Sequence, residues 1–271
     1  MSDKFSSLLH ALEKADSAVS LTDAVQDLAD ACLVKAIPTL VEALSYNNPG
    51  AAVAAVDGLV QLGEPSVSPL LEQLDLNNYT ARAWAIRALA SIGDPRGLLT
   101  LLGAATADIS MSVRRAAARG LGQMQWHQFP SNLLEIAQTE ALDALLFVVQ
   151  NDEEWVVRYA AVVGLESLAL SLQSGKEGRS TQIETQFAEM SLREDSLSVR
   201  ARVWQAQQTL QTRLVQPPTA TSSDQSSVLS ATDWEKILER LYNRKLQERT
   251  VLPAGDPRHY QELSSAGSRQ V

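Results

Sequence analysis

The stretch YNNPGAAVAAVDGLVQLGE, residues 46 to 64, decides the fold. A short polar knot, Tyr46-Asn47-Asn48-Pro49-Gly50, stands in front of an alanine- and valine-rich run that reads as a helix. Asparagine side chains accept from the free N–H groups of a helix start, and proline is at home in the first turn. Gly63 then ends the run, as glycine does just past a helix C-terminus. Read alone, this is one capped helix, but the stretch recurs.

Four further segments align with it: NNYTARAWAIRALASIG, DISMSVRRAAARGLGQM, NDEEWVVRYAAVVGLESL and EDSLSVRARVWQAQQTL. An arginine falls at one register in these four, Arg82, Arg114, Arg158 and Arg200, with Ala52 in its place in the first. The spacings are 30, 32, 44 and 42 residues. Polar pairs such as Asn47-Asn48, Asn77-Asn78 and Asn151-Asp152 precede the helices. Helix stops follow at Gly63-Glu64-Pro65, at Gly93-Asp94-Pro95 and near Gly122, the first two launching another apolar helix. The unit is helix, turn, helix. Such a pair cannot bury its apolar face alone and must stack on its neighbours, so the chain is expected to be all-α, an α-solenoid of HEAT-like helical pairs over residues 1–214. The longer spacings place insertions around Trp126-His127-Gln128-Phe129-Pro130 and in the polar stretch from Gly175 to Gln182.

Beyond Leu214 the run QPPTATSSDQSSVLSA reads as a flexible linker, residues 215–231. Thr232 and Glu235 have capping-box spacing, and Trp234, Ile237, Leu238, Leu241, Tyr242 and Leu246 follow at helical spacing. That predicts an amphipathic helix over 232–248, docked on this chain or another, and a tail over 249–271.

Composition narrows the function. Aromatics are 5 % of the 271 residues, and the net charge of −9 leaves no basic excess for a nucleic-acid backbone, so nucleic acid is not an expected partner. The lone cysteine, Cys32, excludes an internal disulfide framework and is expected to fill core space. No signal-like or membrane-spanning apolar stretch stands out, and the chain is expected to be soluble and cytoplasmic.

Positions equivalent to Ile86, Leu89 and Ile92 recur as Val56, Leu59 and Leu62, as Ala118, Leu121 and Met124, and as Val162, Leu165 and Leu168, a buried stripe. At about 100° per residue the side chain opposite that stripe is Arg87, matched by Arg119 and Asp57 in neighbouring repeats. Trp84 lies beside Arg87, Arg115 one turn before Arg119, and Tyr159 at the register of Arg115. Asp57, Trp84, Arg87, Arg115, Arg119 and Tyr159 therefore define a candidate cationic and aromatic strip, which suits a flat ligand bearing acidic groups. The same arginines also read as an ordinary solvated face. The series at Arg82, Arg114, Arg158 and Arg200 reads as structural, pairing with loop carboxylates or carbonyls of adjacent repeats. His10, His127 and His259 are scattered, and no Gly-rich phosphate loop, His-x-x-x-His pair or Gly-x-Ser-x-Gly elbow is present, so neither a metal site nor a self-contained hydrolytic centre is expected.

The runs AIPTLVEALSYNNPGAAVAAVDGLVQLGE, NNYTARAWAIRALASIGDPRG, SVRRAAARGLGQMQW and EEWVVRYAAVVGLESLA closely resemble the F-type (beta) subunits of the E/F bilin lyases of cyanobacteria and red algae, over about residues 5 to 172. The resemblance implies a lyase of HEAT-like repeats. With an E-type partner subunit it would attach phycocyanobilin, a substrate rather than a resident cofactor, to a cysteine of the phycocyanin alpha subunit of the phycobilisome. The nucleophile would be the acceptor's thiol, forming a thioether at the bilin's A ring. Lyase-isomerases of this family carry Asn-His-Cys-Pro where this chain has Tyr46-Asn47-Asn48-Pro49, which implies a lyase without isomerase activity. On this reading Arg87, Arg115 and Arg119 would hold the bilin propionates, Trp84 and Tyr159 would pack on pyrrole faces, and Asp57 would accept from pyrrole N–H groups. Two other readings stand beside it: a HEAT-repeat scaffold in phycobilisome assembly or turnover, and a sister lyase for another bilin or acceptor.

Overall fold

The computed structural model describes residues 2–74, 78–172 and 177–215, together with 236, 237, 239 and 240. Among these residues there is helix and turn but no strand. The chain divides into two compact units, residues 1–97 and 98–271.

The first unit contains α1 (Ser2–Glu13), α2 (Ala18–Asp30), α3 (Ile37–Ala43), α4 (Pro49–Leu62), α5 (Val67–Gln73) and α6 (Tyr79–Ile92). Helix α4 packs on α2, α3 and α6, while α5 packs on α6, so each short first helix backs a longer second helix. The core is a run of fully buried leucines, Leu28, Leu40, Leu44, Leu59, Leu70 and Leu89, with small alanines between them. Gly63 and Gly93 end α4 and α6 with positive φ of 69°, and single turns at Glu64–Ser66 and Pro95–Gly97 follow. In the second of these, Arg96 donates from Nε to Asp94 at 2.9 Å and from Nη2 to Glu64 at 2.7 Å, tying the two turns together.

The second unit contains α7 (Leu98–Ala107), α8 (Met111–Gly122), α9 (Ser131–Asn151), α10 (Trp155–Ser171), α11 (Glu177–Arg193) and α12 (Leu197–Val215). Each of the five aligned segments is the second helix of a pair: α4, α6, α8, α10 and α12. The buried stripe is as expected: Ile86, Leu89, Ile92, Val56, Leu59, Ala118, Leu121, Met124, Val162, Leu165 and Leu168 are all buried, and Leu62 is half-buried.

The structure differs from the sequence reading at the insertions. Residues 126–130 form one turn, Trp126–Gln128, with Trp126 and Phe129 buried and their rings 5.2 Å apart. The extra length lies mainly in α9, which has 21 residues where the first helix α5 has 7. The polar stretch from Gly175 to Gln182 is helix from Glu177 onward, the start of α11. Cys32 is not in the core either. It is exposed with φ 48°, because it follows the last turn of α2 in the left-handed conformation that reverses the chain there.

The final helix of 232–248 and the tail of 249–271 lie outside the described residues, apart from 236, 237, 239 and 240, and so does the linker beyond Val215. Ile237 is 6 % exposed, so residues of this chain cover it.

Within the second unit two features fix how the pairs stack. The first is the arginine series, each member the fourth residue of its helix. Arg114 of α8 donates from Nε and Nη2 to the two oxygens of Asp152, at 2.6 and 3.1 Å, and from Nη1 to the Asp108 and Ile109 carbonyls. One repeat on, Arg158 of α10 grips Glu194 at 2.9 and 2.6 Å and donates to the Asp152 and Glu153 carbonyls. Each arginine thus ties its own entry loop to the carboxylate at the entry of the next second helix. These hydrogen bonds, first of all, hold both guanidiniums above their ordinary value.

The second feature is the crossing of α8 and α10. A Cβ placed on Gly122 would lie 2.1 Å from the Gly164 carbonyl oxygen, and one on Gly164 would lie 2.5 Å from the Ala118 carbonyl oxygen. The backbones touch, and no larger residue fits between them.

Two outcomes follow for the second unit. Gly122→Ala forces backbone to move and is expected to destabilise the chain by at least about 1–3 kcal/mol, measured by denaturant unfolding. Burial acts to raise the Glu194 carboxyl, but the Arg158 hydrogen bond and the Ser196 amide outweigh it and hold it below the ordinary glutamate value. Its stabilisation is therefore complete above that ordinary value and lost as pH falls through the lowered one. Glu194→Gln is expected to cost about 1–3 kcal/mol at neutral pH, with the deficit fading in acid, as read from unfolding curves across pH.

Candidate functional site

The polar knot is first a structural device. Asn48 is buried, and its Oδ1 accepts from the Gly50 and Ala51 amides at 3.0 and 3.2 Å, capping α4. Its Nδ2 donates to the Ala18 carbonyl at 2.8 Å, and Thr22 donates to its Oδ1 at 3.3 Å, so the cap also ties α4 to α2. Gly50 permits this approach, since a Cβ there would lie 2.8 Å from Thr22 Oγ1. Pro49 occupies the first helical position and, like Asn47, is exposed. Tyr46 is half-buried against the core, and burial, then the nearby Glu42 carboxylate, push its hydroxyl up. In the next repeat Asn78 caps α6 through the Thr80 and Ala81 amides, both at 3.1 Å. Of the four motif residues, Asn47 and Pro49 face solvent and Asn48 faces the fold.

In the first unit Asp57 of α4 and Arg87 of α6 are exposed on helices that pack together. Trp84 differs from expectation: it is half-buried and packs against the core, because its helix sits over α4 at that point. What remains of its ring carries the Arg87 guanidinium, 5.4 Å from the ring centroid, a cation–π contact.

In the second unit Arg115 and Arg119 of α8 are exposed, as is Tyr159 of α10, on the helix pair that meets at Gly122 and Gly164. Trp155 belongs with them and was not singled out from the sequence. It is 46 % exposed, and Tyr159, 37 % exposed, lies one turn further on. The signal was available: Trp155 opens α10, and Met111, at the same register of α8, is exposed too. The residues of the expected strip divide between the units, Asp57, Trp84 and Arg87 in one and Arg115, Arg119 and Tyr159 in the other, where Trp155 stands beside them.

Two clefts of about 290 and 390 Å³ open at the entries of the second helices in this unit, one around Arg114 and Asp152, the other around Arg158 and Glu194. The Arg114–Asp152 and Arg158–Glu194 pairs at their centres are already engaged and belong to the stacking ladder.

The exposed sets bring arginine, tyrosine and tryptophan side chains to the surfaces of adjacent helices without a nucleophile among them. Within each unit such side chains have the chemistry to form charge-assisted bonds to carboxylates and aromatic contacts with a flat molecule.

Comparison with known proteins agrees with the repeat reading. Residues 67–166 match the family described as HEAT repeats. The chain is 56 % identical, over 98 % of its length and 98 % of the relative's, to the phycocyanobilin lyase subunit beta of Pseudanabaena tenuis. It is 50 % identical to the phycocyanin alpha phycocyanobilin lyase CpcF of Synechocystis, over 61 % of this chain and 77 % of that one. Among solved structures it is similar, at 47 % identity and a TM-score of 0.59, to a chain in the complex of CpcE and CpcF of the phycocyanin lyase from Nostoc, covering 65 % of this chain and 99 % of that one.

The cap geometry gives a direct test. Asn78→Ala is expected to lower stability by about 1 kcal/mol, and Asn48→Ala by more, since it also severs the tie to Ala18. Thermal unfolding of the two variants would show the order.

Proposed function

The chain belongs to the family of phycocyanobilin lyase beta subunits, and from that premise we propose that it is one half of a heterodimeric bilin lyase. With an E-type subunit it attaches phycocyanobilin to a cysteine of the phycocyanin alpha subunit. The observation that carries the reading is the match to a phycocyanobilin lyase subunit beta along nearly the whole of both chains. The surface chemistry is in keeping with it: exposed arginines beside aromatics, with no nucleophile among those residues.

In the reaction the acceptor's thiolate sulfur bonds to the ethylidene carbon of ring A, and the tetrapyrrole takes up the thiol proton, so no group leaves. The protein's part is placement. In the second unit Arg115 and Arg119 take propionates in bidentate bonds and Tyr159 and Trp155 cover pyrrole faces; in the first unit, taken by itself, Arg87 offers the same bond to a propionate, Trp84 a surface for a pyrrole face and Asp57 an acceptor for pyrrole N–H groups. Holding a flexible chromophore in one conformation raises the effective concentration of the correct carbon at the correct thiol and shuts out wrong adducts. Phycocyanobilin is bound here as substrate, with no resident cofactor. The exposed side chain beside the cap is Asn47, so no thiol and imidazole stand there to shuttle a double bond, and the bilin is transferred without isomerisation. We place the chain in the cytoplasm, where a lone reduced cysteine is at home. No helix among the described residues is long and apolar enough to cross a membrane.

The test is co-expression of this chain with an E-type subunit, a phycocyanin alpha subunit and bilin-synthesis enzymes, followed by zinc fluorescence and absorbance of the denatured acceptor. The expected result is a covalent adduct with an unshifted phycocyanobilin spectrum that depends on this chain. No adduct from competent partners would overturn the reading. Combined Arg87→Ala and Arg119→Ala is expected to slow transfer by about tenfold or more, from lost charge-assisted bonds, with the heterodimer and its melting temperature unchanged.

A further inference from the structure

The entry edge of the second unit carries an exposed apolar patch. Arg114 reaches from α8 to Asp152, so the starts of α8 and α10 stand side by side. At those starts Ile109 is 91 % exposed, Met111 50 % and Trp155 46 %. Met111 and Trp155 open their helices at one register, and the valines two positions on, Val113 and Val157, are both buried. The outward turn of Met111 and Trp155 therefore belongs to the register. Both helices are internal to the unit: α7 and α9 pack on α8, and α9 and α12 pack on α10, yet these neighbours leave the patch open.

A second, independent observation is the charge along the same edge. Asp152 and Glu194 are taken by Arg114 and Arg158. Glu153, Glu154 and Asp195 are surplus to that ladder: all three are exposed, and Glu154 and Asp195 only add to the field at Arg114 and Arg158. The cleft of about 290 Å³ lined by Asp108, Asp152 and Glu153 opens on this edge. On the other side of the patch, one helical turn along, stand Arg115 of α8 and Tyr159 of α10. The patch thus lies between an acidic edge and residues assigned to the bilin, with Trp155 at the boundary. An apolar surface with an acidic border selects a partner whose own apolar side chains are bordered by lysine or arginine.

We infer that this patch receives the acceptor subunit: a segment with apolar side chains packs over Ile109 and Met111, and a lysine or arginine beside it meets Glu153 and Asp195. The position of the patch selects the acceptor among possible occupants. Whatever covers it lies one turn, about 5 Å, from Arg115 and Tyr159, and thioether formation requires the acceptor's sulfur to come within bonding reach of ring A. A subunit seated there permanently would bar that approach. The contact also helps to choose which thiol arrives, because a protein that offers a cysteine without the matching basic border meets unpaired carboxylates. This inference rests on the lyase reading given above and gives the chain a share in selecting the acceptor.

The experiment uses the full chain in complex with an E-type subunit and loaded with phycocyanobilin. The probe is a phycocyanin alpha subunit whose bilin-accepting cysteine is replaced by serine, so that the complex does not turn over. Its affinity is measured for the wild type, for combined Ile109→Ser and Met111→Ser, and for combined Glu153→Lys and Asp195→Lys. Oxidation of Met111 is followed by hydroxyl-radical footprinting before and after the probe is added. The expected result is acceptor binding weakened by about tenfold or more in each double variant, with bilin absorbance and the heterodimer as in the wild type, and Met111 protected only once the acceptor is present. Normal acceptor binding by both double variants, with Met111 still reactive, overturns this inference and leaves the lyase reading intact. Protection of Met111 already in the heterodimer identifies the E-type subunit as occupant and overturns it. Protection in the chain alone does the same in favour of a second copy or another segment of this chain. Failure of the wild-type heterodimer to form an adduct on the unaltered acceptor overturns the lyase reading, and this inference with it.

Discussion

The grip of one helix's arginine on the next repeat's carboxylate is the interaction on which the second unit depends. A helical pair with an alanine-rich face has little to hold its neighbour in register, because small apolar side chains slide past one another at low cost. Arg114 and Arg158 remove that freedom. Each closes a two-pronged bond across the joint and clamps its own entry loop with the remaining nitrogen. The first unit solves the same problem with Arg96, which sits in a turn rather than a helix and joins two successive turns through Asp94 and Glu64. In both units a planar guanidinium does what a hydrophobic contact between alanines cannot, which is to specify one alignment.

The candidate site follows from that alignment. Once the second helices of a unit are held side by side, the positions that face away from their buried stripe fall in rows open to solvent. Arg87, Arg115, Arg119, Trp155 and Tyr159 occupy such positions in their respective units. The knot that opens α4 shows how duty and specificity share four residues. Asn48 is committed to capping and to α2, so chemistry at that motif is left to its exposed members. A helix cap can be made by several polar residues, whereas the tie to Ala18 requires an amide that accepts and donates at once.

Much of this was legible in the sequence, for reasons specific to each feature. The repeat was visible because the arginine, the asparagine caps and the glycine stops recur at fixed offsets, and each has one physical job. The buried stripe followed from helical periodicity alone. The lengthening of α9 was not visible, since a longer apolar helix and a helix plus an insertion have the same composition. Cys32 was misplaced because its burial is set by a left-handed turn, which no periodicity announces. Trp84 is half-buried and Trp155 exposed for a similar reason: the side chain at a given register is exposed or covered according to how the neighbouring helix leans, and the neighbour is known only from the fold.

The contact between Gly122 and Gly164 has a consequence beyond stability. Packed helices ordinarily run about 8–10 Å apart, the spacing being set by the side chains at the contact. Where both residues are glycine the axes approach to the short end of that range, and everything mounted on the two helices is drawn together. The row bearing Arg115 and Arg119 is thereby brought near the row bearing Trp155 and Tyr159. Two hydrogen atoms at a buried crossing thus act as a ruler for the outer surface, setting how near a cationic row lies to an aromatic one.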